Sequence, residues 1–266
     1  MNGAAFEGYW NYIYSVILPT NVVPEVWPLL TGGRFSLVSK PVTRIILFSR
    51  CLSFVRKEVG VRGSTMTHET MSLFDAIYSQ RAIRHFSEQP VSDEAVETIL
   101  HAAICAPNGG NRQPWRFLVI RDAAIKRQLG QWYLAAWQAA TAHMEALTQP
   151  YRHGAALAQQ MAIVPVLILA CIDHGDTGPG PGPMTRGASI YPAVQNLLLA
   201  ARALGLGTVL TTLHTQYERE IKALLHIPET VETAALIPVG YPAEGVRFGH
   251  ARRRPLSEVV FYDTWG

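Results

Sequence analysis

The residues of this 266-residue chain best suited to chemistry are arginines, amides and hydroxyls gathered at separate stations, with no evident nucleophile and base. The first station is Gln80-Arg81-Ala82-Ile83-Arg84 and the second is the loop Pro107 to Gln113, inside Ala106-Pro107-Asn108-Gly109-Gly110-Asn111-Arg112-Gln113-Pro114-Trp115-Arg116-Phe117. The third is the strand end Leu210-Thr211-Thr212, and the last is Arg252-Arg253-Arg254-Pro255-Leu256. Guanidinium forks match phosphate oxygens, although an isolated arginine is more often a solvated surface charge. The Asn-Gly-Gly core of the loop permits backbone conformations closed to other residues and lets a flat ligand approach the main chain. Asn111 and Gln113 add amide donors and acceptors, and Pro114 predicts an extended Gln113. Taken alone, the loop reads equally well as an ordinary helix-to-strand connection.

Taken together, two basic stations flanking an amide-rich loop and a hydroxyl-bearing strand end point to a phosphorylated planar ligand. Flavin mononucleotide needs each part: guanidinium groups for its phosphate, amide and cationic donors for its pyrimidine edge, and a hydrogen-bond donor near N5. Other chemistries lack their motifs. There is no GxxxxGK[ST] and no GxSxG, and Gly205-Leu206-Gly207 follows a predicted helix and precedes a strand, the reverse of a dinucleotide-binding turn. Cys51, Cys105 and Cys171 stand far apart without CxxC, and the histidines show no HExxH. That argues against a disulfide framework and a metal site, and fits a reducing cytoplasm. A formal charge of +3 and a pI near 8.8 are too mild for a nucleic-acid partner, and Arg252 to Arg254 is too short a run to reverse that. The apolar runs from Gly8 to Pro24 and from Gly154 to Ile172 are broken by Asn, Gln or Pro, so no membrane span is expected, and no secretory signal is visible.

The elements that must position these stations begin at Met71. Residues 1 to 70 are rich in aromatics at the start (Phe6, Tyr9, Trp10, Tyr12, Tyr14), carry scattered prolines and have more basic than acidic residues. They read either as a surface-binding arm or, the reading favoured here, as a poorly ordered extension or upstream sequence ahead of an initiator at Met66 or Met71. From Met71 the spacing predicts a helix capped by Ser72, a second capped by Ser92, a strand Trp115 to Ile120 and a long helix from Asp122 to about Leu147. Pro150 and Gly154 are expected to punctuate that segment before a strand buried on both faces, Ile163 to Ile172. Gly175 to Pro183 is a loop or lid, and Ser189 to Leu204 is a buried helix with Pro192 in its first turn, ended by Gly205. Strand Thr208 to Thr212, helix Gln216 to Leu225, strand Thr233 to Gly240 and a C-terminal arm from Arg252 complete the chain. With 48% hydrophobic and 16% charged residues it has ample material for one core, and the alternation predicts a mixed sandwich of helices and sheet.

Over residues 71 to 262 the sequence resembles the FMN-dependent nitroreductase family, which includes nitroreductases, flavin reductases, iodotyrosine deiodinases and flavin-cleaving enzymes. Gln80-Arg81-Ala82-Ile83-Arg84-His85-Phe86 is similar to the family's Arg-Arg-Ser-x-Arg-x-Phe, and the segment from Ala106 to Trp115 is similar to its Ala-Pro-Ser-x-x-Asn-x-Gln-Pro-Trp. Leu204-Gly205-Leu206-Gly207-Thr208 and Val239-Gly240-Tyr241-Pro242, followed by Arg253-Arg254-Pro255-Leu256, resemble the later motifs in the same order. The resemblance implies an α+β fold, a nitroreductase-like α/β/α sandwich with a central mixed sheet spanning 71–266. It also implies a homodimer with FMN at the interface, a C-terminal arm reaching the partner, and NADH or NADPH as electron donor. Carried over, Arg81, Arg84 and Arg253 hold the phosphate and ribityl end, and Pro107, Asn108, Gly109, Asn111 and Gln113 border the ring. Leu210, Thr211 and Thr212 lie against it, near N5 or on the opposite side. Gln80 and Ala82 stand where the family has Arg and Ser, each removing a polar contact. The implied activity is ping-pong reduction of nitroaromatic, quinone or related acceptors, with the chemistry on the flavin and no protein nucleophile. The alternatives are an ene-reductase or reductive dehalogenase selected by the segment Gln131 to Gln160, and a flavin-storing protein.

Overall fold

The computed structural model describes residues 71–175 and 183–265, all within one compact unit, Thr67–Gly266. The readings placed on residues 1–70 and on the Gly-Pro repeats of 176–182 lie outside the described residues. Helices α1 (Leu73–Ser79), α2 (Asp93–Ile104) and α3 (Ala123–Thr141) each start where a side chain satisfies an orphan amide. Ser72 accepts from Asp75 at 3.0 Å, Ser92 from Ala95 at 3.2 Å, and the Asp122 carboxylate from Ala124 and Ile125 at 2.8 Å. Helices α4 (Gln149–Gln160), α5 (Pro183–Ala203) and α6 (Glu218–Leu225) follow, with strands β1 (Trp115–Ile120), β2 (Val166–Asp173), β3 (Gly207–Thr208) and β4 (Val231–Gly240).

The strands lie in the order β1-β2-β4-β3, and every ladder is antiparallel. The mixed character comes from an isolated parallel bridge between Ala82 and Thr208. Alternation along β2 divides the core: Val166, Ile168 and Ala170 join α2 and α5 on one face, while Leu167, Leu169 and Cys171 join α3, α4 and α6 on the other. β2 is buried through Ile172, as its continuous apolar run requires. Helices on both faces of the sheet make the α/β/α sandwich.

Three sequence expectations are corrected. The helix expected to reach Leu147 ends at Thr141, and the residues expected to interrupt the segment lie inside a new helix, α4. Pro150 stands in its first turn, where a missing N–H costs nothing. Helix α5 begins at Pro183, so Pro192 lies in its interior and not its first turn. The strand expected over Thr208 to Thr212 shrinks to Gly207–Thr208, with Thr211 bridging Leu236 by itself.

Gly154 is a packing residue. A Cβ there would collide with Cη2 of Trp137, whose indole lies under α4. Gly154→Ala is expected to lower stability by about 1–3 kcal/mol through overpacking. A thermal melt showing a lowered Tm, largely restored by adding Trp137→Leu, is the expected result.

Candidate functional site

The first basic station is fixed by the sheet edge. Gln80 closes α1, its N–H bonding Ala76 O at 2.9 Å; Ala82 bridges Thr208, and the Ile83 N–H donates to Thr208 O at 3.0 Å. Ile83 is buried, so the flanking Arg81 and Arg84 are carried at a defined place, Arg81 exposed and Arg84 half-buried. Burial holds the Arg84 guanidinium below its ordinary range; Tyr133 opposes that shift and the neighbouring charge of Arg81 adds to it. No carboxylate pairs with either guanidinium among the described residues. Two like charges held near each other and partly stripped of water favour an anion between them.

Thr211 and Tyr133 stand beside this station. Thr211 is 9% exposed, exchanges backbone hydrogen bonds with Leu236, and donates its hydroxyl to Leu236 O at 2.7 Å. Tyr133 is 4% exposed; burial raises its phenol pKa, while a hydrogen bond with Thr211 and the charge of Arg84 pull it back. The single hydroxyl proton of Thr211 is committed to Leu236 O. Thr211 therefore lacks a side-chain proton for a ligand, and the exposed Leu210 and Thr212 are left to face one. Tyr133 lies in the segment Gln131 to Gln160, among the aromatics Trp132, Trp137 and Tyr151. Helical spacing carried no signal of its link to Arg84 and Thr211. Trp132 stacks on Tyr217, and Trp137 meets Tyr151 in a tilted contact, which absorbs the other aromatics into packing.

The amide loop is tightly wound. Asn108 Oδ1 accepts the Gln113 N–H at 2.9 Å across a turn of 3-10 helix, Gly109–Asn111. Gly110, Asn111 and Gln113 have φ of 60°, 51° and 49°. The extended Gln113 expected from Pro114 is thus overturned, because the Asn108 brace draws its N–H inward. Positive φ at two non-glycine residues is backbone strain of the kind found at ligand-binding loops. The loop is fastened to β2 by the Asp173 N–H on Pro114 O at 2.7 Å and by an Arg116–Asp173 ion pair at 3.0 Å. Pro107, Gly109, Asn111 and Gln113 are exposed and Asn108 is half-buried.

The arginine station and the amide loop do not converge within the chain. Thr208, which carries Ala82, lies level with Val239 and Val166, whereas Trp115, which follows the loop, lies level with Ile172. The six steps along β2 from Val166 to Ile172 separate those levels by roughly 20 Å. Arg253 is exposed, and its Nη1 donates to the neighbouring Arg252 O at 3.1 Å. The arm beyond it presents Leu256, Val259, Phe261, Tyr262 and Trp265 to solvent, and α1 presents Leu73, Phe74, Ile77 and Tyr78. Apolar surface of this extent marks an interaction face. Among the described residues no helix is long and apolar enough to cross a membrane, and no cluster of three or more His, Cys, Asp or Glu could hold a metal ion.

Residues 77–241 match the model of the Nitroreductase family. The chain belongs to that family, and its fold is the nitroreductase fold. It is 31% identical over 202 residues to an NADH dehydrogenase from Thermus thermophilus, covering 70% of this chain and 94% of that one. It is 32% identical over 198 residues to the 5,6-dimethylbenzimidazole synthase of Rhodospirillum rubrum, covering 68% of this chain and 90% of the relative. A solved structure of iodotyrosine deiodinase bound to FMN and 3-iodo-L-tyrosine superposes with a TM-score of 0.60 at 25% identity, covering 73% of this chain and all of that one. Family membership makes the chain an oxidoreductase of the nitroreductase type.

Proposed function

We propose that this protein is an FMN-dependent NAD(P)H oxidoreductase that reduces nitroaromatic, quinone or related acceptors, working as a homodimer with two shared sites. The observation that carries the reading is the separation of two half-sites. One holds acid-free guanidinium groups at Arg81 and Arg84 beside Thr212; the other, at the far end of the sheet, is the strained loop Pro107 to Gln113. A second copy related by a two-fold axis brings the loop of one protomer to the arginines of the other. The exposed apolar faces of α1 and the C-terminal arm supply surface for that contact.

Bound FMN supplies two-electron transfer between a nicotinamide and an acceptor that occupy the same face in turn. The chain does the rest. Arg81 and Arg84, joined in the dimer by Arg253, bind the phosphate; the exposed Thr212 offers the donor for N5 that Thr211 cannot. Gly109 lets the ring lie close to the main chain, and Asn111 presents an amide to its pyrimidine edge. No side-chain nucleophile is required.

Purified protein is expected to be yellow, to oxidise NADPH or NADH in the presence of menadione or a nitroaromatic, and to lose flavin on Arg253→Ala. A colourless preparation that ignores added FMN refutes the proposal, and bound flavin with negligible turnover refutes the reductase reading in favour of storage. The likeness to iodotyrosine deiodinase favours one second reading, reductive dehalogenation. Including a halogenated phenol among the acceptors separates the two.

A further inference from the structure

Helix α4 is anchored unevenly. Its second half is set into the core by Leu157 and Ala158, both buried, and Gly154 rests on the Trp137 indole. Its first half is exposed at Gln149, Tyr151, Arg152 and His153. Two ring contacts tie that half down: Tyr151 against Trp137, with centroids 6.1 Å apart, and His153 against His85.

The histidine contact has a specific geometry. His85 Nε2 and His153 Nδ1 are 3.4 Å apart, the ring centroids are 5.7 Å apart, and the planes stand at 85°. The centroid separation exceeds the nitrogen separation by about twice the radius of an imidazole, so the facing nitrogens lie on the line between ring centres. That is the alignment of an N–H on one ring with a lone pair on the other. It is not a metal chelate, in which two lone pairs converge on a third point.

His85 follows Arg84 directly, and its backbone is held on both sides. Its carbonyl accepts from the Ala243 N–H at 3.0 Å, Phe86 bridges Pro242, and Ser87 donates to Tyr241 O at 2.9 Å. The fixed partner is thus the segment that carries Arg81 and Arg84, and the movable partner is the exposed half of α4.

We propose that the His85–His153 hydrogen bond is a latch that holds the first half of α4 against the arginine-bearing segment, making His153 a positioning residue for the acceptor. The latch rests on the FMN reading for its consequence in catalysis, but not for its existence. Opening of the latch frees the half-turn around Tyr151 and His153 and loosens the grip on the acceptor, while the flavin stays bound.

The test is hydrogen exchange in peptides covering 149–156 of the full chain, with and without saturating FMN, for wild type, His153→Ala and His153→Asn. Loss of one net hydrogen bond predicts exchange about fivefold faster in His153→Ala. His153→Asn, whose amide carries both a donor and an acceptor at the reach of Nδ1, is expected to restore most of the protection. In steady state, His153→Ala is expected to raise the acceptor KM severalfold with kcat and flavin content unchanged. Equal exchange in wild type and His153→Ala without flavin overturns the latch itself. Faster exchange in His153→Ala with unchanged KM overturns its role in positioning the acceptor. Failure of the wild type to bind FMN refutes the cofactor reading alone, since the exchange comparison without flavin still decides the latch.

Discussion

Mixing two flavin-free variants is expected to restore flavin. Arg84→Ala removes the half-buried guanidinium at one end of the sheet, and Asn108→Ala removes the brace that holds Gln113 in its wound conformation at the other. If each site takes its arginines from one protomer and its loop from the other, both homodimers are defective at both sites. In a mixed dimer one site collects both lesions and the other collects neither. Random reassortment after mild denaturation should therefore return about a quarter of wild-type flavin and turnover, because half the dimers are mixed and each has one intact site. Were the site built within a single protomer, every site would carry a lesion and mixing would return nothing. The absorbance of the bound flavin after gel filtration reads the outcome directly. Recovery close to zero sinks the shared site while leaving the family membership untouched.

Acid is expected to destabilise the fold steeply through one residue, His214. It lies in the 3-10 turn Leu213–Tyr217 that follows the threonine station, is 1% exposed, and has no hydrogen-bond partner for either ring nitrogen. Burial pushes its pKa down to about 4, with Glu218 offsetting a little of that. A histidine whose folded pKa is depressed is favoured neutral in the folded chain, so the unfolded chain binds more protons between about pH 6.5 and pH 4. Stability attributable to this group is complete above the unfolded pKa and is lost as pH falls toward the folded one. The full loss amounts to about 3 kcal/mol, a large share of a typical folding free energy. Urea unfolding at a series of pH values checks this. Wild type should lose stability from pH 7 to pH 4.5 faster than His214→Leu, whose substitution also removes two unsatisfied buried nitrogens. Parallel curves for the two proteins would assign the acid sensitivity elsewhere.

Much of this was legible in the residues. The Ser72, Ser92 and Asp122 caps, the extent of β1 and the buried run of β2 follow from local rules: a short polar side chain satisfies a free amide, and an apolar run is covered on both faces. The motifs that led to the family were local as well, since each is a turn or strand end whose composition is set by its own backbone. The errors share a cause. Glycine and proline usually interrupt helices, yet Gly154 is required by an indole from another helix and Pro150 sits where the helix needs no N–H. Gln113 was expected to be extended from the proline after it, but a side chain five residues earlier decided its φ.

Most of the elements, the family and the chemical character of each station could be read from the residues, because these depend on neighbours within a turn or two of chain. The existence of α4 and the relation between the stations came from packing and register alone. The register of β2 puts the arginines and the amide loop at opposite ends of a sheet, Leu236 claims the hydroxyl proton of Thr211, and the buried Tyr133 lies beside Arg84 and Thr211. Each of those facts is a pairing between residues far apart in the chain, set by strand register and helix packing. No local pattern of residues encodes such a pairing until the sheet has formed.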